Sequence, residues 1–202
     1  MIYELRTYNI NTGAVPDYLN LFSTQGFPLL CEVAEPVGYW IAETGRLNRV
    51  FHMWRYQDRA HRAAQRAKLM ANPDWAQAFL PNALPFVAMQ STQIFTLADG
   101  VADPLAKTAA TPGLFEIAYV ERPDAPATAA LGQLSQQLQS VGLWTPLSGA
   151  LSSQLWITRY DSDASRDALQ AEAPWHQAMA ALTAGAALQV ETAYPAKISA
   201  LQ

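Results

Sequence analysis

The chain has 202 residues, half of them hydrophobic, and its 13 basic and 17 acidic side chains give a net charge of −4. This composition predicts a folded protein with a sizeable core, and the mild acidity argues against nucleic-acid binding. The single cysteine, Cys31, excludes an internal disulfide. No apolar run approaches the roughly 20 residues of a membrane helix. Residues 1–6 lack the pattern of a signal peptide, so we expect a cytoplasmic protein without a membrane span.

The first half of the chain alternates strand patterns with helix patterns. Tyr, Leu, Ile and Thr predict a strand at residues 2–8. Apolar residues at helical spacing predict a helix over residues 15–25, which Gly26 and Pro28 end. Further along, the patterns predict strands at 37–43 and 49–56, a helix at 59–70, a short helix through Trp75 and Phe79, and a strand at 87–97.

The second half of the chain repeats the first. Residues 37–40 (VGYW) recur 104 positions later as residues 141–144 (VGLW). Further ordered matches pair Arg55 with Arg159, Tyr56 with Tyr160, Arg62 with Arg166, Trp75 with Trp175 and Glu4 with Glu116. The second copy therefore predicts strands at 114–120, 141–147, 153–160 and 187–194, and helices at 125–139, 162–170 and 174–184.

Each copy has the order βαββαβ, which is typical of a ferredoxin-like α+β unit. We assign residues 1–98 to the first repeat, residues 99–113 to a linker of small residues and proline, and residues 114–202 to the second, diverged repeat. A ferredoxin-like sheet carries helices on one face, so its other face needs a cover. We expect the two sheets to pair within one chain and enclose a barrel. Two open sandwiches are the alternative, which would leave Trp and Tyr side chains exposed.

Five short motifs of the first repeat together resemble the NIPSNAP family: YELRTY at residues 3–8, GYW at 38–40, ETGRLN at 43–48, HMWRY at 52–56 and NPDW at 72–75. The resemblance covers residues 1–97. It implies the dimeric α+β barrel fold, which cofactor-independent quinol monooxygenases, haem-degrading enzymes and stress-response proteins share. It implies no settled activity. The second repeat departs from the pattern, with Ala118 in place of Arg6 and Trp156 in place of His52.

Strand alternation sorts the candidate site residues into two faces. We expect the apolar positions, such as Phe51 and Met53, to face the helices. The polar and aromatic positions would then face the barrel interior: Glu4, Arg6, Tyr8, His52, Trp54 and Tyr56 in the first repeat, with Trp156 and Tyr160 in the second. A basic stripe of Arg55, Arg59, Arg62, Arg66 and Lys68 could meet an anionic partner or phosphate, but a solvated helix face is the preferred interpretation.

Each candidate also has a structural interpretation. His52 could be a general base or an axial haem ligand, or a buried histidine satisfied by Glu4 or a tyrosine. Glu4 and Arg6 could orient a carboxylate or carbonyl, or form an internal ion pair with partners across the barrel. Because Glu116 recurs at the position of Glu4, the structural interpretation gains weight for that carboxylate.

Two functional hypotheses follow. In the first, the barrel binds a small hydrophobic or planar molecule between its sheets, and a cofactor-independent oxygenation uses His52 as base and Arg6 as oxyanion stabiliser, with Trp54 and Tyr8 as walls. We expect no metal and no cofactor, with haem bound by His52 as the alternative. In the second hypothesis the barrel is filled and acts as a non-enzymatic scaffold for protein partners, and homo-oligomer formation stays open. A cavity would favour the first hypothesis.

Overall fold

The structure is a computed structural model that describes residues 1–98, 113–121, 125–137, 140–183 and 187–197. Its strands are β1 (Ile2–Ile10), β2 (Glu35–Ala42), β3 (Arg49–Tyr56), β4 (Val87–Leu97), β5 (Leu114–Glu121), β6 (Ser140–Pro146), β7 (Ser153–Tyr160) and β8 (Ala187–Pro195). Its α-helices are α1 (Val15–Leu21), α2 (Phe27–Cys31), α3 (Arg59–Ala71), α4 (Leu80–Ala83), α5 (Ala125–Gln137), α6 (Asp163–Gln170) and α7 (Ala173–Thr183). These elements confirm the βαββαβ order in both halves. The predicted linker, apart from Gly113, lies outside the described residues.

The strands form one closed antiparallel barrel in the order β1-β3-β2-β8-β5-β7-β6-β4. The predicted barrel of two paired repeats is therefore confirmed. Within the repeats the strand pairs are long, as in the eight residue pairs between β1 and β3. The two seams between repeats are short. Trp40–Ala42 of β2 pairs with β8, and Phe95–Leu97 of β4 pairs with β6, over three residue pairs each.

The barrel interior is an apolar core to which both repeats contribute. Its buried side chains include Tyr3, Leu5, Trp40, Phe51, Met53 and Phe95 of the first repeat, and Phe115, Ile117, Trp144, Leu155 and Ile157 of the second. The prediction that Phe51 and Met53 face the helices is wrong. The two inner sheet surfaces meet each other, where a polar side chain would find no partner, so the purely apolar positions lie inside.

The recurring Val-Gly-x-Trp motif packs this interior. A Cβ atom at Gly38 would collide with the indole of Trp40, and one at Gly142 would lie 2.7 Å from the ring of Trp144. The strand register shifts immediately before each glycine, between Pro36 and Gly38 and again in the second repeat. Each tryptophan therefore folds back over the glycine two residues earlier, and no larger residue fits at either position.

The helices cover the outer faces of the two sheets. In the first repeat, α1 and α2 are joined without a break by a π-helical turn, Phe22–Gly26. The prediction that Gly26 and Pro28 end the first helix is therefore wrong. A Cβ atom at Gly26 would lie 2.6 Å from the ring of Phe79, so this glycine permits close packing of two helical segments. No helix in the described part of the chain is both long and apolar enough to cross a membrane.

Candidate functional site

A pocket of about 210 Å³ lies between the outer face of the first-repeat sheet and its helices. Arg6, Tyr8 and His52 line it from the strands β1 and β3. Its remaining wall comes from the helical segments and from the start of β4: Tyr18, Phe22, Leu30, Arg66, Met70, Trp75, Phe79, Leu80, Ala83, Leu84, Val87 and Gln90. The pocket therefore lies outside the barrel. The predicted site between the two sheets is wrong, because apolar side chains fill that space.

His52 is at the sheet side of this pocket and is almost fully buried. Its Nδ1 atom accepts a hydrogen bond of 2.6 Å from the indole N–H of Trp54, two residues along the same strand face. Its Nε2 atom is buried and has no hydrogen-bond partner among the described residues. Burial and the nearby charges of Arg6 and Arg66 lower the pKa of His52 well below its usual value, so the imidazole is neutral. The partner of this histidine is thus Trp54, and neither Glu4 nor a tyrosine.

Glu4 lies beside the pocket and is fully buried in a network of arginines. Its carboxylate accepts hydrogen bonds from Arg62 at 2.8 and 3.1 Å and from Arg6 at 3.1 Å. Burial alone would raise the pKa of Glu4, but the hydrogen bond from Arg62 and the charge of Arg6 outweigh burial and lower it. The predicted ion pair is confirmed. Its further partner comes from helix α3 on the outer face, and not from across the barrel.

Positive charge dominates the polar side of the pocket. Arg6 donates to the Tyr8 hydroxyl at 2.9 Å and to the side-chain oxygen of Gln90 at 3.2 Å. Arg66 lines the pocket and has no hydrogen bond or ion pair with any residue that the structure describes. No aspartate or glutamate is among the lining residues. From sequence Arg66 is interpreted as part of a solvated stripe; in the structure it is partly buried and lines the pocket. Its spacing of four from Arg62 places both on one face of α3.

The second repeat keeps the structural part of this arrangement. Glu116 accepts a hydrogen bond of 3.1 Å from the Tyr160 hydroxyl, and Arg166 lies 4.0 Å from its carboxylate. The residues that surround the first-repeat pocket are replaced, however: Arg6, His52 and Arg66 correspond to Ala118, Trp156 and Gln170. Trp156 stacks on Trp175, with ring centroids 5.7 Å apart.

The structure brings together only part of the predicted site. Arg6, Tyr8 and His52 line one pocket, with Glu4 and Trp54 directly behind them. Tyr56 packs in the first-repeat core outside this pocket. Trp156 and Tyr160 lie in the other repeat and do not line it.

The pocket does not fit haem, the cofactor considered from the sequence. Sites for drug-sized ligands have volumes of ~300–1,000 Å³, and haem is larger than such ligands, whereas this pocket has about 210 Å³. The unpartnered Nε2 atom of His52 would suit an iron ligand, but the surrounding walls leave no room for the macrocycle. We therefore assign no role to haem.

Comparison with known proteins identifies the first repeat. The NIPSNAP family model matches residues 3–99. A NIPSNAP domain protein from Burkholderia xenovorans is 38% identical, with alignment over 51% of this chain and 100% of that one, at a TM-score of 0.49. NipSnap homolog 3B of Mus musculus is 35% identical over 129 residues, which are 62% of this chain and 50% of that protein. The chain belongs to the NIPSNAP family. It spans about half the length of the curated NIPSNAP relatives that it matches.

The whole barrel of this NIPSNAP chain resembles more distant structures. A candidate monooxygenase from Fusobacterium nucleatum aligns over 98% of this chain and 93% of that one, with a TM-score of 0.69 and 9% identity. A second, from Lactobacillus acidophilus, covers 96% and 93% of the two chains, with a TM-score of 0.64 and 12% identity. These similarities show only that the fold is shared. All the residues that line the pocket fall within the NIPSNAP match of residues 3–99.

Proposed function

We propose that this NIPSNAP protein binds a small, planar, mostly apolar organic molecule in the pocket of its first repeat. One observation carries the proposal: the two repeats share their scaffold but differ at the pocket. The first repeat places Arg6, His52 and Arg66 around a cavity. The second repeat places Trp156 and Trp175 in stacked contact at the corresponding position. An architectural role would require the same residues in both repeats.

The walls define the size and shape of the ligand. Phe22, Trp75 and Phe79 supply aromatic surface, and the ring centroids of Trp75 and Phe79 lie 4.7 Å apart. Aromatic walls with a few polar groups on one side are typical of small-molecule sites. Because the cavity has about 210 Å³, we expect a ligand of one or two rings.

Cofactor-independent oxygenation is a second candidate function. It is supported by fold neighbours described as candidate monooxygenases and by the presence of Arg6 and His52 in one pocket. Fold alone does not determine chemistry, so the proposal itself is one of binding. Oxygen uptake in the presence of hydroquinone, lost in the Arg6→Gln variant, would support turnover. Uptake that equals the protein-free rate would reject it for this substrate class.

The structure agrees with the scaffold hypothesis in one feature, because the barrel interior is filled. The hypothesis gives no reason for the buried Nε2 atom of His52 to lie without a partner among the described residues in a pocket that Arg66 also lines. A scaffold would also be expected to keep those positions alike in the two repeats. Homo-oligomer formation is compatible with both hypotheses and stays a prediction.

The binding proposal can be tested with two planar probes, cinnamate and cinnamamide, added to isotope-labelled protein. We expect saturable shifts in the NMR signals of pocket residues such as Phe22, His52 and Trp75 with at least one probe. Leu84→Trp places bulk at the half-exposed edge of the pocket and should abolish these shifts. Leu151→Trp, at an exposed position outside the pocket, is the matched control and should retain them. If neither probe gives saturable shifts, or Leu84→Trp leaves them intact, the proposed function is rejected.

A further inference from the structure

We propose that the ligand of this pocket is an organic acid, and that its carboxylate is bound by the Nε2–H group of His52 together with the guanidinium groups of Arg6 and Arg66. This inference rests on the proposed binding function and adds the chemical class of the ligand. It also changes the role of His52 from base to hydrogen-bond donor.

The contact with Trp54 determines which nitrogen of His52 carries the proton. An indole N–H can donate and cannot accept, so the Nδ1 atom that receives it at 2.6 Å must present a lone pair. A neutral imidazole then carries its hydrogen on Nε2. That atom is buried and unpartnered among the described residues, and the ring lines the pocket. His52 therefore offers a donor to the ligand, while the lone pair that a base would need is already engaged.

The surrounding charges favour an anion in the same place. Glu4, which is hydrogen-bonded to the pocket residue Arg6, is also bound by Arg62. The charge of Arg66 also acts on this one buried carboxylate, but Arg66 has no hydrogen bond or ion pair with any of the described residues. A ligand carboxylate would supply the missing negative charge and accept the free hydrogen bonds.

The aromatic part of the pocket lining requires the acid to have an apolar body. Phe22, Trp75 and Phe79 offer no charged group, so a small inorganic anion would leave that surface without contact. A planar organic acid satisfies both sides, with its ring on the aromatic wall and its carboxylate on the cations. In the second repeat, Ala118 and Gln170 remove both cations and Trp156 replaces the imidazole, as expected if the three first-repeat residues serve one ligand group.

Cinnamate and cinnamamide provide the first test, because they have the same planar body and differ in charge. We expect cinnamate to bind about tenfold or more tightly than cinnamamide at neutral pH, since hydrogen bonds between charged groups are the stronger ones. Arg66→Gln should remove most of this preference. Lys68→Gln removes the same charge from an exposed position of the same helix outside the pocket and should keep it.

The outcomes separate the inference from the proposed function. Equal binding of the two probes in the pocket would overturn the organic-acid inference and leave the binding function in place. A preference for cinnamate that survives Arg66→Gln would also overturn it. Binding of neither probe would reject the binding function, and the inference with it.

Nitrogen NMR of protein labelled at histidine tests the role of His52 directly. We expect its Nε2 to be protonated and its Nδ1 to be unprotonated in the ligand-free protein. Trp54→Phe removes the indole N–H while keeping an aromatic ring, and should weaken cinnamate binding more than cinnamamide binding. The signals of His61 and His176, which do not line the pocket, are internal references. A protonated Nδ1 in the native protein would overturn the donor assignment.

Discussion

The Glu4 network allows a sharp test of how the first repeat is stabilised. Glu4→Gln keeps the size of the side chain but removes the charge that Arg6 and Arg62 share. The glutamine oxygen can still accept one hydrogen bond, whereas its amide N–H groups would face a guanidinium donor. The variant therefore leaves the two arginines beside a neutral side chain, without the negative charge that balances them.

The expected loss of stability follows from the burial of the partners. Neutralising one member of a buried ion pair costs about 3–5 kcal/mol. The side chain of Arg62 is 27% exposed and that of Arg6 is 13% exposed, so water can solvate part of the unbalanced positive charge. We therefore expect a loss of about 2–3 kcal/mol in the free energy of unfolding. For a chain of this size, that loss lowers Tm by about 4–12 °C.

Urea denaturation followed by circular dichroism measures this loss, with Glu116→Gln as the matched control. Burial raises the pKa of Glu116, so its charge does not favour the native state, and its replacement should lower the stability less than Glu4→Gln does at neutral pH. Because the pKa of folded Glu4 lies below its ordinary value of 4.5, its stabilising contribution is present above pH 4.5 and is lost as the pH falls through the folded-state pKa. Equal losses in the two variants, or a Glu4→Gln loss that persists where Glu4 is protonated, would refute this reasoning.

Three further predictions concern packing and capping. Gly38→Ala and Gly142→Ala should each lower the free energy of unfolding by about 1–3 kcal/mol in urea titrations, because their Cβ atoms meet tryptophan rings. Gly132→Ala in α5 is the control and should be neutral or stabilising, because no atom lies near the added Cβ. Equal effects of the three substitutions would contradict the packing argument. Trp156→Ala should cost about 3–5 kcal/mol and leave a cavity that added indole fills, so Tm should rise with indole in this variant and not in the native protein. Asp58→Ala removes the side-chain cap of α3 and should cost about 1 kcal/mol, and an unchanged Tm would contradict this role.

The sequence was sufficient to predict the barrel but not which sheet face lies inside it. The repeat and the strand patterns predict the element order and the pairing of the repeats, and the closed strand order confirms both. Alternation places Phe51 and Met53 on one face of the sheet and His52 and Trp54 on the other, but it does not determine which face lies inside the barrel. Here both faces of each sheet are buried, one by helices and one by the other sheet, so exposure does not distinguish them.

The candidate site was predicted in part for the same reason. Arg6, Tyr8 and His52 were expected to share a face, and they line one pocket. Arg66 was missed because a charged helix face resembles a solvated surface, and its approach to the sheet depends on how α3 packs. The contact between Trp54 and His52 depends on side-chain orientations that spacing alone does not determine. The contrast of Arg6 with Ala118 and of His52 with Trp156 was visible in the sequence, and it is the difference between the repeats on which the proposed binding function rests.

The short seams between the repeats have a consequence for binding stoichiometry. With three residue pairs at each seam, the two sheets are held together mainly by their common interior and by the covalent chain. The polypeptide connection makes their association independent of protein concentration, so the halves need not be identical to find each other. We therefore expect one ligand per barrel with a simple hyperbolic isotherm, whereas a symmetric pair of first repeats would offer two equivalent sites with the opportunity for cooperativity between them.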